Sequence, residues 1–296
     1  MGVDRVAIRA FAKVNLYLRI LGRRSDGYHE IETVMHPVGL YDELYAERRP
    51  ERISLKCQSP EAPAGDDNTV VRAWEALRRL RPNQVEGCEV VLRKGIPTRA
   101  GLGGASADAA AALLALNRLF GLDLDEPRLR GLAAEIGSDV PFFLGAGAAV
   151  VRGRGERIHG LAGSLSGPLA IAVSNRGVST AAAYARYQPD PSDEGRSVDA
   201  MAAAVAAGDA DKAARGLFNA FERLMFPVRP DLAQTKDALS RAGAAGVLMT
   251  GSGSAIFAMG VDRREVAAHH LFTGEEGDEG GRVFWTMFRS CPYDWI

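Results

Sequence analysis

The sequence predicts an α+β fold, because segments with strand and helix patterns are mixed along the chain without strict alternation. Its 296 residues suffice for one large domain or two of ordinary size, and 47% hydrophobic residues allow a substantial core. Glycine and serine gather at 161–167, as is typical of a linker. We therefore predict two domains, at 1–162 and 163–296.

The first half of the chain opens with strands. A strand is predicted over 6–20, with apolar residues alternating within 12–18, and a Ser-Asp-Gly turn at 25–27 precedes a second strand over 28–38. The remaining predictions here are strands over 53–58, 89–93 and 148–151, helices over 68–80, from Ala105 onward and over 129–136, and a helix start at Pro141.

In the second half of the chain, strand and helix patterns alternate less clearly, and some of the helices are alanine-rich. Strands are predicted over 168–174, 247–249, 255–259 and 282–288, and helices over 180–187, 198–207, 210–224, 231–241 and 263–271. Two polar loops are expected, one over 188–196 and an acidic, glycine-rich one over 273–281.

The most informative segment is a glycine loop, 96–108, directly before a predicted helix. Gly101, Gly103 and Gly104 leave backbone N–H groups accessible, and the helix dipole places positive potential there, which together suit a phosphate. The spacing fits neither the P-loop nor the Rossmann pattern. A tight turn that needs small residues for close packing is the alternative.

A lysine, an asparagine and an aspartate are candidates for chemistry. Lys13 and Asn15 share one face of a strand whose other face is apolar, and on an exposed face both would be ordinary. In a site, the lysine charge can meet a phosphate or a reacting hydroxyl. Asp139 is either the N-cap of the helix starting at Pro141 or a general base that pairs with a lysine.

Two further segments carry weaker signals. Tyr28 and His29 follow a turn and offer a stacking surface and hydrogen bonds for a planar base, although a lone histidine is more often structural. Gly251, Ser252 and Gly253 form a second glycine turn, either a simple hairpin or a wall that presents N–H groups to an anion.

Bulk properties exclude several function classes. A formal net charge of -1 and the absence of an aromatic-basic array give no support for nucleic-acid binding. The three cysteines lack metal-type spacing and fit a reducing compartment. No signal peptide and no run of ~20 apolar residues is visible, so we expect a cytoplasmic protein without membrane contact, as a monomer or homodimer.

Taken together, the motifs resemble the GHMP kinase superfamily. They also resemble, more narrowly, its members that phosphorylate the 2-hydroxyl of 4-diphosphocytidyl-2-C-methyl-D-erythritol in the non-mevalonate isoprenoid pathway. The matching segments occur in order at 12–18, 23–31, 67–73, 96–108, 137–144, 178–180, 218–222 and 250–254. The glycine loop and Asp-Val-Pro-Phe-Phe point to the superfamily, and Lys-x-Asn and Asp-Gly-Tyr-His to the narrower group.

The resemblance implies a fold and a set of site residues. It implies an N-terminal domain like ribosomal protein S5 domain 2, a ferredoxin-like C-terminal domain, and a site between them. By analogy, Asp139 accepts the proton of the substrate hydroxyl, while Lys13 orients that hydroxyl and stabilises the phosphoryl charge. The implied substrate-binding residues are Asn15, Tyr28, His29, Thr180, Gly251, Ser252 and Gly253. The implied ATP-binding residues are Asn68, Lys94, Pro97, Gly101, Leu102, Gly103, Gly104, Ala105 and Ser106.

Mg²⁺ is expected to arrive with ATP, since no carboxylate cage for a metal is visible.

The glycine loop departs from the usual Gly-Gly-Gly-Ser-Ser, because Ala105 replaces a glycine and Ala107 replaces a serine. We expect these changes to alter nucleotide affinity rather than to abolish activity. Two alternatives stay open: another GHMP kinase, of homoserine or mevalonate type, and a non-catalytic binding protein with this fold.

Overall fold

A computed structural model describes residues 3–50, 52–59, 63, 65–145, 147–190, 193, 195–268 and 281–296. The strands are β1 (Arg5–Arg23), β2 (His29–Arg49), β3 (Ser54–Cys57), β4 (Gly87–Arg93), β5 (Ala149–Gly153), β6 (Arg157–Gly160), β7 (Pro168–Val173), β8 (Phe218–Asn219), β9 (Gly246–Met249), β10 (Ala255–Met259), β11 (Arg282–Met287) and β12 (Tyr293–Trp295). The helices are α1 (Thr69–Leu80), α2 (Gly104–Phe120), α3 (Glu126–Ile136), α4 (Thr180–Arg186), α5 (Val198–Ala206), α6 (Ala210–Arg215), α7 (Glu222–Met225), α8 (Pro230–Arg241) and α9 (Arg263–Ala268).

A long antiparallel hairpin of β1 and β2 forms the centre of the first sheet. The strand order is β12-β1-β2-β4-β3, and β5 and β6 continue from β2 at its other end. Helix α2 packs on β1 and β2, and α1 and α3 pack on α2. Because α2 is alanine- and leucine-rich along its length, it is buried on most of its surface, and its first turn is fixed above β1.

The second sheet is antiparallel, with strand order β11-β7-β10-β9, and α8 packs against β9 and β10. After β11 the chain returns to the first sheet, where β12 pairs with β1. Strand β8 also joins the first sheet, parallel to β1. The connection from β6 to β7 spans the predicted linker, and the division at residue 162 stays a prediction.

Most predicted elements are present, with ends shifted by a few residues, but β2 continues to Arg49, well beyond its predicted end at residue 38, and the helix predicted over 210–224 is wrong. Helix α6 ends at Arg215 with Gly216 as its C-cap, β8 follows, and α7 begins only at Glu222. Asn219 explains the interruption, since its Nδ2 donates to the carbonyls of Met249 and Gly251 at 2.6 and 2.8 Å. Tertiary hydrogen bonds here override the helix propensity of the alanines.

Two short strands, β6 and β12, were not expected from the sequence. Each has few residues and depends on a partner far along the chain or across a tight turn. The acidic loop predicted over 273–281 and the end of the helix predicted over 263–271 lie largely outside the described residues. Within the described part of the chain, no helix is long and apolar enough to cross a membrane.

Candidate active site

A cavity of about 1050 Å³ brings together residues from both halves of the chain. Every predicted site residue lines it except Gly253. A Cβ at Gly253 would lie 2.9 Å from Sδ of Met249, so this glycine is packed against the second sheet. The residues that the sequence predicted separately thus belong, with that one exception, to a single cavity.

The glycine loop forms one wall of the cavity, and α2 begins at Gly104 as expected. Gly101 and Gly103 have φ of +78° and +76°, a region that favours glycine. A Cβ at Gly101 would lie 2.2 Å from the Thr250 carbonyl oxygen, and one at Gly103 would lie 2.7 Å from the Phe143 ring. Close packing therefore requires these glycines, and both line the cavity directly before a helix, whose first N–H groups have no partner within the helix.

Lys13 is almost fully buried below this loop, which rules out the exposed-face alternative. Its Nζ donates to Oδ1 of Asn15 at 2.6 Å and to the Gly101 carbonyl at 2.9 Å. Burial lowers the pKa of Lys13, and the negative charge of Asp139 opposes that shift. The ammonium is therefore held in one position by the strand and by the loop together.

Asp139 precedes a 3₁₀ turn, Val140–Leu144, but its side chain makes no capping hydrogen bond. Its Oδ2 instead lies 4.0 Å from Nζ of Lys13, and about a third of its side chain is exposed. The N-cap alternative is therefore not supported. A carboxylate and an ammonium face each other at the cavity, with space for a hydroxyl beside both.

Asn15 links three elements. Its Nδ2 donates to Oγ1 of Thr33 at 2.8 Å, and its backbone N–H donates to Oγ1 of Thr250 at 2.9 Å. Thr250 precedes the second glycine turn, which therefore closes over β1. On the same side, the hydroxyls of Thr180 and Ser252 lie 2.9 Å apart and join α4 to that turn.

Tyr28 and His29 lie at another end of the cavity. The Tyr28 side chain is half-exposed, whereas the His29 ring packs on Tyr184 with centroids 5.1 Å apart. Burial, followed by the charge of Arg23, lowers the pKa of His29, which favours the neutral imidazole. Tyr187 stands edge-on to His29, so several aromatic rings line this end of the cavity.

Lys94 lines the cavity, but its ammonium is bound by two carboxylates. Nζ donates to Asp42 and, at 2.6 Å, to Asp108 at the start of α2. Asp42 also accepts the N–H groups of Gly95 and Ile96. Burial between these groups raises the pKa of Asp108. This buried trio fixes the strand β4 to the glycine loop from below.

Asn68 and the two alanines of the glycine loop differ in how they lie relative to the cavity. Asn68 caps α1, accepting from the N–H of Val70, and it also faces the cavity. Ala105 is exposed and lines the cavity, whereas Ala107 is buried in the core. A serine at position 107 would therefore carry its hydroxyl on the side of α2 that packs into the core.

Sequence reasoning missed several cavity residues. Tyr184 lies on a short alanine-rich helix and Tyr187 directly follows it, and only their spacing from Thr180 could have indicated a shared face. Burial raises the pKa of the Tyr184 phenol, and the charge of Asp139 adds to that shift. Arg154, in a glycine-rich turn, gave no signal beyond its charge.

Comparison with known protein families identifies two matching regions. The family described as "GHMP kinases N terminal domain" matches residues 68–147, and "GHMP kinases C terminal" matches residues 201–270. The first region contains the glycine loop, Lys94 and Asp139, and the second contains the glycine turn after β9.

Curated relatives cover nearly the whole chain. The 4-diphosphocytidyl-2-C-methyl-D-erythritol kinase of Pelotomaculum thermopropionicum is 42% identical over 273 residues, which span 90% of this chain and 94% of that protein. The enzyme of the same name from Gloeobacter violaceus is 39% identical over 280 residues, which span 93% and 92%.

Solved structures agree with these matches. A crystal structure of 4-(cytidine 5'-diphospho)-2C-methyl-D-erythritol kinase superposes with a TM-score of 0.76 at 34% identity, covering 95% of this chain and 98% of that one. Homoserine kinase from Cytophaga hutchinsonii gives the same TM-score at 22% identity, covering 100% and 98%. At that identity, the second likeness concerns the fold.

Proposed function

Because the chain belongs to the GHMP kinase family, we propose that it phosphorylates the 2-hydroxyl of 4-diphosphocytidyl-2-C-methyl-D-erythritol, using ATP. The GHMP kinase fold expected from the sequence is confirmed by the family matches and by the superposed kinase structure. The observation that carries the proposal is the pairing of Lys13 with Asp139 at 4.0 Å in one cavity with the glycine loop.

Asp139 is the proposed base. The proton of the 2-hydroxyl moves to the Asp139 carboxylate as the hydroxyl oxygen bonds to the γ-phosphorus of ATP. The bond from that phosphorus to the bridging β-γ oxygen breaks, and ADP leaves with the electron pair. A partly exposed carboxylate with no capping hydrogen bond has free lone pairs for this proton.

Lys13 is the proposed electrostatic partner. Two of its three N–H donors are bound by Asn15 and Gly101, which leaves one for the reacting oxygens. A buried ammonium in a fixed position stabilises developing phosphoryl charge without reorganisation during the reaction. Asn15 acts through Lys13 and helps to position the substrate.

The glycine loop is the proposed seat of the ATP phosphates. The N–H groups of residues 103–106 begin α2, where unpaired donors and the helix dipole favour anions. Asn68, Lys94, Pro97 and the remaining loop residues border the nucleotide in this proposal. Lys94, already bound by two carboxylates, would contribute through the shape of the loop more than through its free charge.

Mg²⁺ is proposed to enter with ATP. Among the described residues, no group of three or more histidine, cysteine or acidic side chains could hold a metal ion on its own. The triphosphate would therefore supply most of the ligands, and the ion would neutralise the β- and γ-phosphate charges.

The aromatic end of the cavity supports a cytidyl substrate over smaller ones. Tyr28, His29, Tyr184 and Tyr187 surround a space that a planar base would fill. Homoserine and mevalonate have no ring to stack there. Thr180, Gly251 and Ser252 would close over the substrate from the opposite side.

Substrate turnover tests the proposal directly. ATP-dependent phosphorylation would be measured on 4-diphosphocytidyl-2-C-methyl-D-erythritol, homoserine and mevalonate in parallel, with Asp139→Asn as control. We expect turnover of the cytidyl substrate alone, lost in the variant. Turnover of homoserine or mevalonate instead would assign the chain to another kinase of the family, and no turnover of any would favour a binding protein.

A further inference from the structure

The turn between β5 and β6 places an arginine on the cavity wall that neither the sequence motifs nor the proposed chemistry uses. Arg154 lies at the tip of this turn and lines the cavity. Its guanidinium carbon lies 5.0 Å from the centre of the Tyr28 ring. Tyr28 is half-exposed, so part of its ring surface stays accessible beside this planar cation.

The backbone around Arg154 is tightly fixed. Gly153 and Gly155, on either side, have φ of +79° and +128°. A Cβ at Gly155 would lie 2.7 Å from the carbonyl oxygen of Ser138, and the Glu156 carboxylate accepts the Arg154 N–H at 2.7 Å. The turn is thus seated on the residue directly before Asp139, and its position is set from both sides.

These contacts give an order along the wall of the cavity. Asp139 is followed by Ser138, on which the turn rests, then by Arg154 and then by Tyr28. The proposed substrate has the same order of groups: the reacting hydroxyl on the sugar alcohol, then a diphosphate, then cytidine. With the hydroxyl at Asp139 and the base at Tyr28, the diphosphate falls beside Arg154.

The charge of Arg154 is available for an anion. Within the described part of the chain, no carboxylate forms an ion pair with its guanidinium, whereas Arg24 and Arg157 nearby are paired with Glu30. Asp26, on the Tyr28 turn, is the neighbouring carboxylate that feels its charge, and Arg23 adds a second cation at this end of the cavity.

We propose that Arg154 is a specificity residue that binds the diphosphate of the substrate with its guanidinium and backs the Tyr28 ring against the cytosine. This inference rests on the proposed function, which it deepens. A guanidinium fits a phosphate with two parallel N–H donors, so it would distinguish a nucleoside diphosphate from substrates without one.

Kinetics of Arg154 variants give the first test. Arg154→Met keeps the apolar stem and removes the charge, and we expect KM for the cytidyl substrate to rise about ten- to hundredfold, with kcat and KM for ATP within about twofold. Arg154→Lys should recover part of the loss. Arg157→Met, on the same hairpin but outside the cavity, is the matched control and should leave the substrate KM unchanged. An unchanged KM in Arg154→Met would overturn the proposal.

Binding of CDP, CMP and cytidine separates the two parts of the proposal and does not depend on turnover. Measured by calorimetry, the loss of affinity in Arg154→Met should be largest for CDP and smallest for cytidine. Equal losses for all three would show that Arg154 acts only through Tyr28, and would overturn the diphosphate contact. If the wild-type protein binds these ligands as expected but turns over no cytidyl substrate, the proposed function fails while the Arg154 site stands.

Discussion

The two ends of the cavity differ in how firmly their side chains are held. Around Lys13, the ammonium, the glycine loop and the turn after β9 are joined by buried hydrogen bonds to elements far apart in the chain. Around Tyr28, the ring is half-exposed and is held by a turn and by stacking with Arg154. The difference matches the two proposed tasks, since phosphoryl transfer needs preorganised charge, whereas recognition of a base tolerates adjustment.

We call the end of the cavity around Lys13 the firm end and the end around Tyr28 the open end. The largest effect on activity should come from Asp139, which lies at the firm end. Asp139→Asn keeps the size of the side chain and removes the proton acceptor, so kcat should fall about 10²- to 10⁴-fold. KM for both substrates should change little, because neither the loop nor the aromatic pocket is disturbed. Steady-state kinetics with circular dichroism as a fold check would measure this, and a nearly normal kcat would exclude Asp139 as the base.

Lys13→Met should rank second. The methionine fills most of the buried space but cannot bind Asn15, the Gly101 carbonyl or a phosphoryl oxygen, so we expect kcat to fall about 10²- to 10³-fold. Because these contacts fix the loop, KM for ATP should rise as well, which distinguishes this variant from Asp139→Asn. A variant with full kcat would move the charge-stabilising role to another residue.

At the open end, Tyr28→Ala should weaken substrate binding without slowing the chemistry. Loss of a stacking surface predicts about 1–3 kcal/mol of binding free energy, with kcat and KM for ATP retained. Tyr28→Phe keeps the ring and serves as the matched control. Substrate Kd from calorimetry would decide, and an unaffected Kd would rule out stacking on Tyr28.

The sequence predicted the firm end better than the open end. Lys13, Asn15, the glycine loop and Asp139 lie in short motifs whose chemistry is readable locally, and the structure brings them together. By contrast, Arg154 reaches the cavity because β5 pairs with the distant strand β2, and Tyr184 reaches it through the packing of a seven-residue helix. Nothing in their local sequence indicates that placement.

The same contrast applies to the fold. Apolar alternation within residues 12–18 supported the prediction of β1, and helical spacing predicted α2, because burial of one face determines those patterns. The prediction for β2 stopped at residue 38, although the strand continues to Arg49. The helix predicted over 210–224 was wrong because two hydrogen bonds from Asn219 and a short pairing with β1 decide the local structure. Among the missed elements, the short strands β8 and β12 both depend on pairing with the distant strand β1.

The pH dependence of the reaction offers the finest probe of the firm end. Burial lowers the pKa of Lys13 from its ordinary value of 10.5, so the ammonium loses its proton at a lower pH than a free lysine does. Activity that requires this charge should therefore fall on the alkaline side at a pH below 10.5. Asp139 opposes the shift, so removing its charge should lower the pKa of Lys13 further.

The residual kcat of Asp139→Asn, measured across the alkaline range, should thus begin to fall at a lower pH than that of the wild type. Asp199→Asn, which changes an exposed carboxylate outside the cavity, should leave unchanged the alkaline pH at which kcat begins to fall. If the alkaline fall of kcat in Asp139→Asn occurs at the same pH as in the wild type, or at a higher pH, then Lys13 and Asp139 are not coupled in the working enzyme. The preorganised pairing of Lys13 with Asp139 would then have to be assigned to a different state of the cavity.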